Sequence, residues 1–331
     1  MKVFVTGASG FVGRALLSTL AECGHETTAL LLPGESDAGI GSSVVVRGDI
    51  TDPATLRGAM DGHDAVIHLA GVVGYGQRWE PCTQVNVHGT RNVAREAVRA
   101  GATRFIHMSS VSVYGRIPEV LLTEDAPMLE TGEPYGDTKI EAEQVLREVG
   151  AHGALNWTIL RPTVIYGPGD DKFLPKLAEN LRSGRARVIG RGTGTVDLVH
   201  VDDVVRFIEQ LLSEPRATGA VLNLADPDTC SWKELLGAVA SELGVPAPTR
   251  HLPYPVALAV AGVMEAVSRL TGKPPRLSRY AVRVVGRQYR YVATRAQTLG
   301  FSPSIPVEDG VVACLRPCPL PKTRVWVESL S

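Results

Sequence analysis

The chain lacks most of what marks an exported, stapled or nucleic-acid-binding protein. Its 331 residues hold only five cysteines, Cys23, Cys82, Cys230, Cys314 and Cys318. An odd, scattered set fits neither a disulfide framework nor a four-ligand zinc site, so idle or buried thiols in a reducing compartment are expected. Charge of one sign is missing too: 34 Lys and Arg face 35 Asp and Glu, a net charge of −1. Such a chain has no overall field to collect phosphate backbones or anionic lipid, and nucleic acid is not expected as a partner. The longest apolar run, Val256 to Met264, is about half of the ~20 residues that span a bilayer. The opening MKVFVTGASG has no basic segment followed by a long apolar one. The expectation is a cytoplasmic protein without stable membrane insertion.

Glycine (34) and proline (22) are plentiful, beyond the needs of a helical bundle. They point to many sharp turns at strand ends, where α/β enzymes keep their chemistry. The length exceeds what one core usually organises, which favours one large α/β unit with a smaller lobe, or two intimate domains. In the first half, short β-rich runs (3–6, 27–32, 44–47, 65–69, 104–108 and 157–160) alternate with helix-period segments near 11–23, 53–60, 83–100 and 137–149. Most of the runs are continuously apolar, as in strands covered on both faces. Right-handed crossovers then give a doubly wound parallel sheet of the Rossmann type.

After Pro162 the pattern loosens into helices near 171–183, 203–213 and 232–243 and strands near 186–190 and 220–224. The expected division is a dinucleotide domain over 1–161, with 196–225 returning to it, and an α+β substrate lobe from 162–195 and 226–315. A helix over 254–270 either walls a pocket for a large hydrophobic substrate or packs in the core. Residues 316–331, with three prolines, read as a loosely held tail.

Four elements carry chemistry. Thr6-Gly7-Ala8-Ser9-Gly10-Phe11-Val12-Gly13 lies between the first strand and the first helix, where glycines let backbone N–H groups approach a pyrophosphate. Its spacing is GxxGxxG, and a purely structural turn is the alternative. Asp49, after the third strand, either accepts a hydrogen bond from an adenine amino group or caps its loop. The Arg47-Gly48-Asp49 triplet is a chance match to an adhesion signal. Tyr135 and Lys139 stand at i and i+4 on one helix face. A cation within a few Å favours a phenolate, so Lys139 is expected to pull Tyr135 down from its ordinary value near 10. Ser109-Ser110-Val111-Ser112-Val113-Tyr114-Gly115 follows the fifth strand, where a hydroxyl can bond a substrate carbonyl.

Taken in order, TGASGFVG, the GDI segment at 48–50, HLAG at 68–71, VNVHGT around Asn86, SSVSVYG, YGDTK and RPTVIYGPGD resemble the motifs of the extended short-chain dehydrogenase/reductase family, over about residues 1–315. The resemblance implies an enzyme that moves a hydride between nicotinamide and a carbonyl or carbinol carbon. By resemblance, Tyr135 is the general acid–base, and Lys139 lowers its pKa and holds the nicotinamide ribose. Ser110 polarises the carbonyl, and Asn86 orders the helix and an active-site water. Cofactor contacts are expected from Gly7, Ser9, Gly10, Phe11, Val12, Gly13, Asp49, Ile50, Leu69, Ala70, Gly71, Ser109, Tyr135, Lys139, Pro162, Val164 and Ile165, with no metal. The resemblance also implies a homodimer paired through helices near 83–100 and 137–149.

Departures from subfamily patterns narrow the branch. Val111 and Ser112 replace the Asp-Glu pair of sugar-nucleotide dehydratases, and Val164 replaces the Asn of many nucleotide-sugar epimerases. RPTVIYGPGDDKFLPKL, VIGRGTGTVDLVHVDDVV and the closing GKPPRLSRYAVRVVGRQYRYVATRAQTLGFSP instead resemble the 3β-hydroxysteroid and sterol-carboxylate dehydrogenase branch, which includes bacterial reductases of long-chain keto acids. His200, Asp202 and Asp203 could form a metal set, but a helix start capped by Asp202 or Asp203 is the favoured reading. Leu31-Leu32-Pro33-Gly34 offers neither the Asp of NAD enzymes nor the Arg of NADP enzymes. An unpaired 2′-phosphate costs more than a lost ribose hydrogen bond, so NAD(H) is favoured over NADP(H) unless Arg47 reaches the pocket. The expected function is oxidation or reduction of a secondary alcohol or ketone on a bulky apolar small molecule. A nucleotide-sugar epimerase with tightly held NAD is the alternative, and a non-enzymatic binding module ranks third.

Overall fold

A computed structural model describes residues 1–115, 121–151, 155–271, 277–286 and 288–315. The expected tail, Cys318 and part of the GKPPRL segment lie outside the described residues. Seven parallel strands form one sheet: β1 Lys2–Thr6, β2 Glu26–Leu31, β3 Val44–Arg47, β4 Ala65–His68, β5 Arg104–Met108, β7 Asn156–Pro162 and β12 Val221–Leu224, counting the two-residue β6 Leu121–Leu122 between β5 and β7. Their spatial order is β3-β2-β1-β4-β5-β7-β12, which reverses direction of growth at β1 and β4. A ligand crevice is expected outside the strand C-termini at such a reversal. Val3, Phe4, Val5, Val66, Ile67, Phe105 and Ile106 are wholly buried, which explains why these strands read as unbroken apolar runs.

Helices cover both faces. On one, α1 Phe11–Glu22 and α7 Val201–Leu212 set Leu16, Leu20, Val204 and Ile208 against the sheet. On the other, α4 Thr90–Ala100 and α5 Pro134–Val149 contribute Val93, Ala97 and Leu146, beside Leu56 of the short α2 Pro53–Leu56. The expected helix at 53–60 stops early because the chain turns at Gly58, whose φ is 79°. α5 starts at Pro134, three residues before the expected position, because proline suits the first helical position. Tyr135 is thereby held on a helix rather than in a loop.

The expected helix at 83–100 begins earlier, as α3 Trp79–Cys82, and passes through a π-helical turn over Thr83–Gly89 before α4. The turn widens where the Thr90 hydroxyl donates to the Asn86 carbonyl at 2.6 Å and the Asn86 side chain leaves the helix to bond Val72. Such turns recur at functional sites.

Beyond β7 lies a smaller layer. β8 Val164–Tyr166 pairs with β11 Leu198–His200, and β10 Thr195–Val196 with β13 Cys230–Ser231. α6 Leu174–Arg182, with β9 Val188–Ile189 after it, and α8 Trp232–Glu242 enclose Tyr166, Leu174, Leu181, Leu235 and Val239. α7 is capped by neither Asp202 nor Asp203. β11 runs into it without a loop, so the extended residue His200 is the N-cap and its ring accepts from the Asp202 N–H at 3.2 Å. Asp203 turns inward, pairs with Arg206 and accepts from the Ser304 N–H.

After β14 His251–Leu252 comes α9 Tyr254–Thr271. It buries Ala257 and Ala261 against Ile189 and Val282 and leaves Val256, Val260, Val263, Val267 and Leu270 exposed. Contrary to one sequence expectation, none of its described residues borders the main cleft; Val284 of α10 Arg279–Gly286 does. Among the described residues no helix is long and apolar enough to cross a membrane.

One buried ion pair ties the layers together. Glu143 of α5, fully buried, accepts two hydrogen bonds from the Arg161 guanidinium of β7 at 2.8 and 2.7 Å and a third from the Ser109 hydroxyl at 2.7 Å. Arg161 also donates to the Tyr114 hydroxyl at 2.9 Å, which in turn donates to Asn223 of β12 at 2.6 Å. Removing one partner of such a pair strands the other charge. Glu143→Ala is expected to cost about 3–5 kcal/mol in denaturant unfolding. A loss below about 1 kcal/mol would show that the pair is not a structural tie.

Candidate active site

A cleft of about 1500 Å³ runs across the C-terminal edge of the sheet. Its first wall is the turn after β1. Gly7 has φ 69°, and a Cβ there would stand 2.6 Å from the Ala70 nitrogen; one on Gly13 would stand 2.2 Å from the Gly7 oxygen. Only glycine permits this approach of turn, helix and neighbouring strand. Gly10, the N-cap of α1, provides no capping side chain, so the first N–H groups of that helix face the cleft with their partial positive charge. These features fit a dinucleotide pyrophosphate.

At the end of β2 the structure supplies an acid that the sequence reading missed. Glu35 borders the cleft, accepts from the Ser9 hydroxyl at 2.6 Å and accepts from the Leu32 N–H at 2.9 Å. The missed signal was an acid four residues past the strand, in a loop that folds back on it. Arg47, the residue that would favour a 2′-phosphate, is committed instead to the Leu32 and Glu35 carbonyls and to Asp37, and does not line the cleft. Asp49 caps its loop, one oxygen accepting from the Thr51 N–H and hydroxyl at 2.8 Å, and the residue also borders the cleft beside Ile50.

Of the seventeen residues expected to contact cofactor, all border the cleft except Lys139. Lys139 and Asn86 lie just behind it, 3 % and 1 % exposed. The Lys139 ammonium donates to the Met108 carbonyl at 2.8 Å. Asn86 accepts from the Val72 N–H at 2.8 Å and donates to the Thr138 hydroxyl at 3.0 Å. A Cβ on Gly71 would meet both, at 3.1 Å from Asn86 Oδ1 and 3.3 Å from Lys139 Nζ, so the strip at 69–71 overlies the pair. Behind them the His68 ring bridges Thr6 of the glycine-rich turn (2.7 Å) and Thr90 of the π-turn (2.9 Å). Burial pushes His68 down to about 3, and the ring is therefore neutral at ordinary pH.

Ser110 and Tyr135 come together in the cleft, where the Ser110 hydroxyl acts on the Tyr135 phenol. The Ser110 oxygen also accepts from the Ser112 N–H at 3.1 Å. One expectation needs correction. Burial raises Tyr135 to about 12, opposed by Ser110 and reinforced by Tyr75 and Cys82; Lys139 is not among the groups that move it. The ammonium is itself buried, pointed at Met108 and lowered to about 8, mainly by desolvation with Glu143 opposing. In this state Tyr135 is a neutral proton donor rather than a phenolate.

The profile of the NAD-dependent epimerase/dehydratase family matches residues 3–225. The chain belongs to that family. It is similar to a 2-alkyl-3-oxoalkanoate reductase of Stenotrophomonas maltophilia, at 31 % identity over 94 % of this chain and 97 % of the relative. A 3 beta-hydroxysteroid dehydrogenase/Delta 5→4-isomerase of Mycobacterium tuberculosis is 30 % identical over 95 % of this chain and 89 % of its own. Among solved structures, MoeE5 in complex with UDP-glucose and NAD superposes with a TM-score of 0.74 at 25 % identity, covering 95 % of this chain and 97 % of that one. As an extended short-chain dehydrogenase/reductase, this family member is an enzyme of NAD-dependent chemistry.

The Glu35 carboxylate makes a specific prediction, since an ionised acid at the adenosine ribose end accepts ribose hydroxyls but repels a 2′-phosphate. Glu35→Ala is expected to raise KM for NADH and shift the NADH-to-NADPH ratio of kcat/KM toward NADPH by about tenfold or more. An unchanged ratio would remove Glu35 from cofactor selection.

Proposed function

We propose that the protein is an NAD(H)-dependent oxidoreductase that interconverts a ketone and a secondary alcohol on a bulky, largely apolar small molecule. The observation that carries this is the Ser110–Tyr135 hydroxyl pair opening on a wall that includes Val72, Val73, Tyr75, Phe173, Val196 and Val284. Such a wall desolvates an apolar substrate. When bound, the nicotinamide would supply or accept the hydride at the carbon.

The chain's own residues do the rest. Ser110 hydrogen-bonds the substrate oxygen, and Tyr135, held protonated by burial, donates its proton to that oxygen as negative charge develops. Lys139, anchored by the Met108 carbonyl beneath Gly71, brings its positive charge to the cofactor side of the site, where it would hold the nicotinamide ribose. Asn86 and Gly71 close the floor against the bulk. Oxidation of the alcohol runs the same steps in reverse.

The keto-acid reductase and the steroid dehydrogenase among the relatives support this choice of substrate class. One observation favours a second reading, nucleotide-sugar epimerisation: Lys172 and Lys176 border the same cleft and would suit a diphosphate, the group carried by the UDP-glucose of MoeE5. Stabilisation by UDP-sugars but not by apolar ketones in a thermal-shift screen would select it. The proposal includes a homodimer paired through α4 and α5, which a monomeric mass in solution would remove.

Tyr135→Phe is expected to lower kcat for ketone reduction at least about a hundredfold while NADH still binds; unchanged turnover would contradict the mechanism. The pH profile follows from Lys139. Its value is lowered, so its charge is present below about 8 and lost as pH rises through that value, and kcat/KM for reduction should fall there. A profile flat to about pH 10, the range of an ordinary lysine, would show that its charge does not contribute.

A further inference from the structure

Asp197 sits at the bend between β10 and β11 and takes no part in the chemistry assigned above. It is 7 % exposed, and its backbone carbonyl is tied to the Val164 N–H at 3.2 Å. The residue borders the substrate side of the cleft, and its Oδ1 is buried without a hydrogen-bond partner among the described residues. Two titratable groups face it from neighbouring elements. Arg290 of the two-residue strand Arg290–Tyr291 opposes the effect of burial on the carboxyl, and Cys230 of β13 is a neutral thiol pushed up to about 11. Burial nevertheless holds the Asp197 carboxyl up to about 7. An unsatisfied buried carboxyl destabilises the free protein, and its place in a cleft wall gives it an obvious missing partner.

We propose that Asp197 is a specificity-determining residue that receives a neutral hydroxyl group of the substrate, at a second polar point distinct from the carbonyl held by Ser110 and Tyr135. This rests on the reading of the cleft as a ketone and alcohol site, and it narrows the substrate class to bulky apolar ketones or alcohols that carry a further hydroxyl. A hydroxyl fits both states of the carboxyl: it donates to the ionised or neutral acid, and its lone pairs accept from the protonated one. A carboxylate substituent would face like charge in the ionised state, and an alkyl group would leave the carboxyl without a partner where the residue borders the cleft.

The test uses NADH and two steroid ketones identical except for a hydroxyl at the end of the ring system remote from the ketone. The wild-type protein is expected to favour the hydroxylated ketone by about tenfold in kcat/KM. Asp197→Ala should bring that ratio close to unity, and Asp197→Asn, which keeps a carbonyl acceptor, should retain part of it. General damage to the fold would lower both rates together and leave the ratio intact. Absence of a preference in the wild type, or the same preference in Asp197→Ala, overturns the proposal. Turnover of neither ketone by the wild type overturns the oxidoreductase reading itself, and this inference falls with it.

Discussion

The carboxylate of Glu143 is the fixed point from which the rest of the site is set. It lies on the same helix face as Tyr135 and Lys139, at successive four-residue steps, so one helix carries proton donor, cation and anchor. Its bidentate contact with Arg161 fixes that helix to β7, and its third bond fixes Ser109, the neighbour of Ser110. The two hydroxyls that the proposed mechanism brings to one substrate oxygen are thus referred to a common buried group. A buried ion pair is weak evidence for stability relative to an apolar replacement, but its directional bonds restrict geometry in a way that apolar packing does not. The same carboxylate resists the desolvation that lowers Lys139, and so helps to keep the ammonium charged beneath Gly71.

A second network orders the opposite side. Thr6, in the glycine-rich turn, reaches through the neutral ring of His68 to Thr90 and from there to the carbonyl of Asn86 in the π-turn. The turn that fits pyrophosphate and the residue that closes the catalytic floor therefore share one chain of hydrogen bonds. The wider turn frees the Asn86 side chain to hold Val72, beside the strip at 69–71 that overlies Lys139. Preorganisation of this kind places the reacting groups before substrate enters.

Much of this was legible in the residues because it follows from local pattern. Continuous apolar runs identified six strands of the sheet, and the glycine spacing at 7–13 reflects contacts that any Cβ would block. The i, i+4 spacing of Tyr135 and Lys139 placed them on one face. What escaped depends on tertiary neighbours. The His200 cap arises because β11 has no loop before α7, and Glu35 reaches the cleft only because its loop folds back onto Ser9 and Leu32. The raised value of Tyr135 reflects burial, with the nearby cation turned toward Met108 instead, which spacing alone cannot reveal. α9 read either as a pocket wall or as core packing, and it packs a narrow alanine seam against Ile189 and Val282 away from the cleft. Asp197 and Glu143 carried no signal, since a lone acid in a chain of balanced charge is ordinarily a solvated one.

The near-neutral charge and the apolar cleft wall belong to one picture, in which substrate is drawn in by desolvation and positioned by a few polar groups. The central claim is that hydride leaves the protein on a released alcohol rather than returning within a bound cofactor. It is tested most directly by incubating the enzyme with a bulky apolar ketone and NADH carrying deuterium at the transferable position, then analysing free product by mass spectrometry. The account predicts an alcohol that has gained one deuterium at the carbinol carbon, with an equivalent amount of NADH consumed. Unlabelled product, or epimerised nucleotide-sugar without net consumption of NADH, would contradict it.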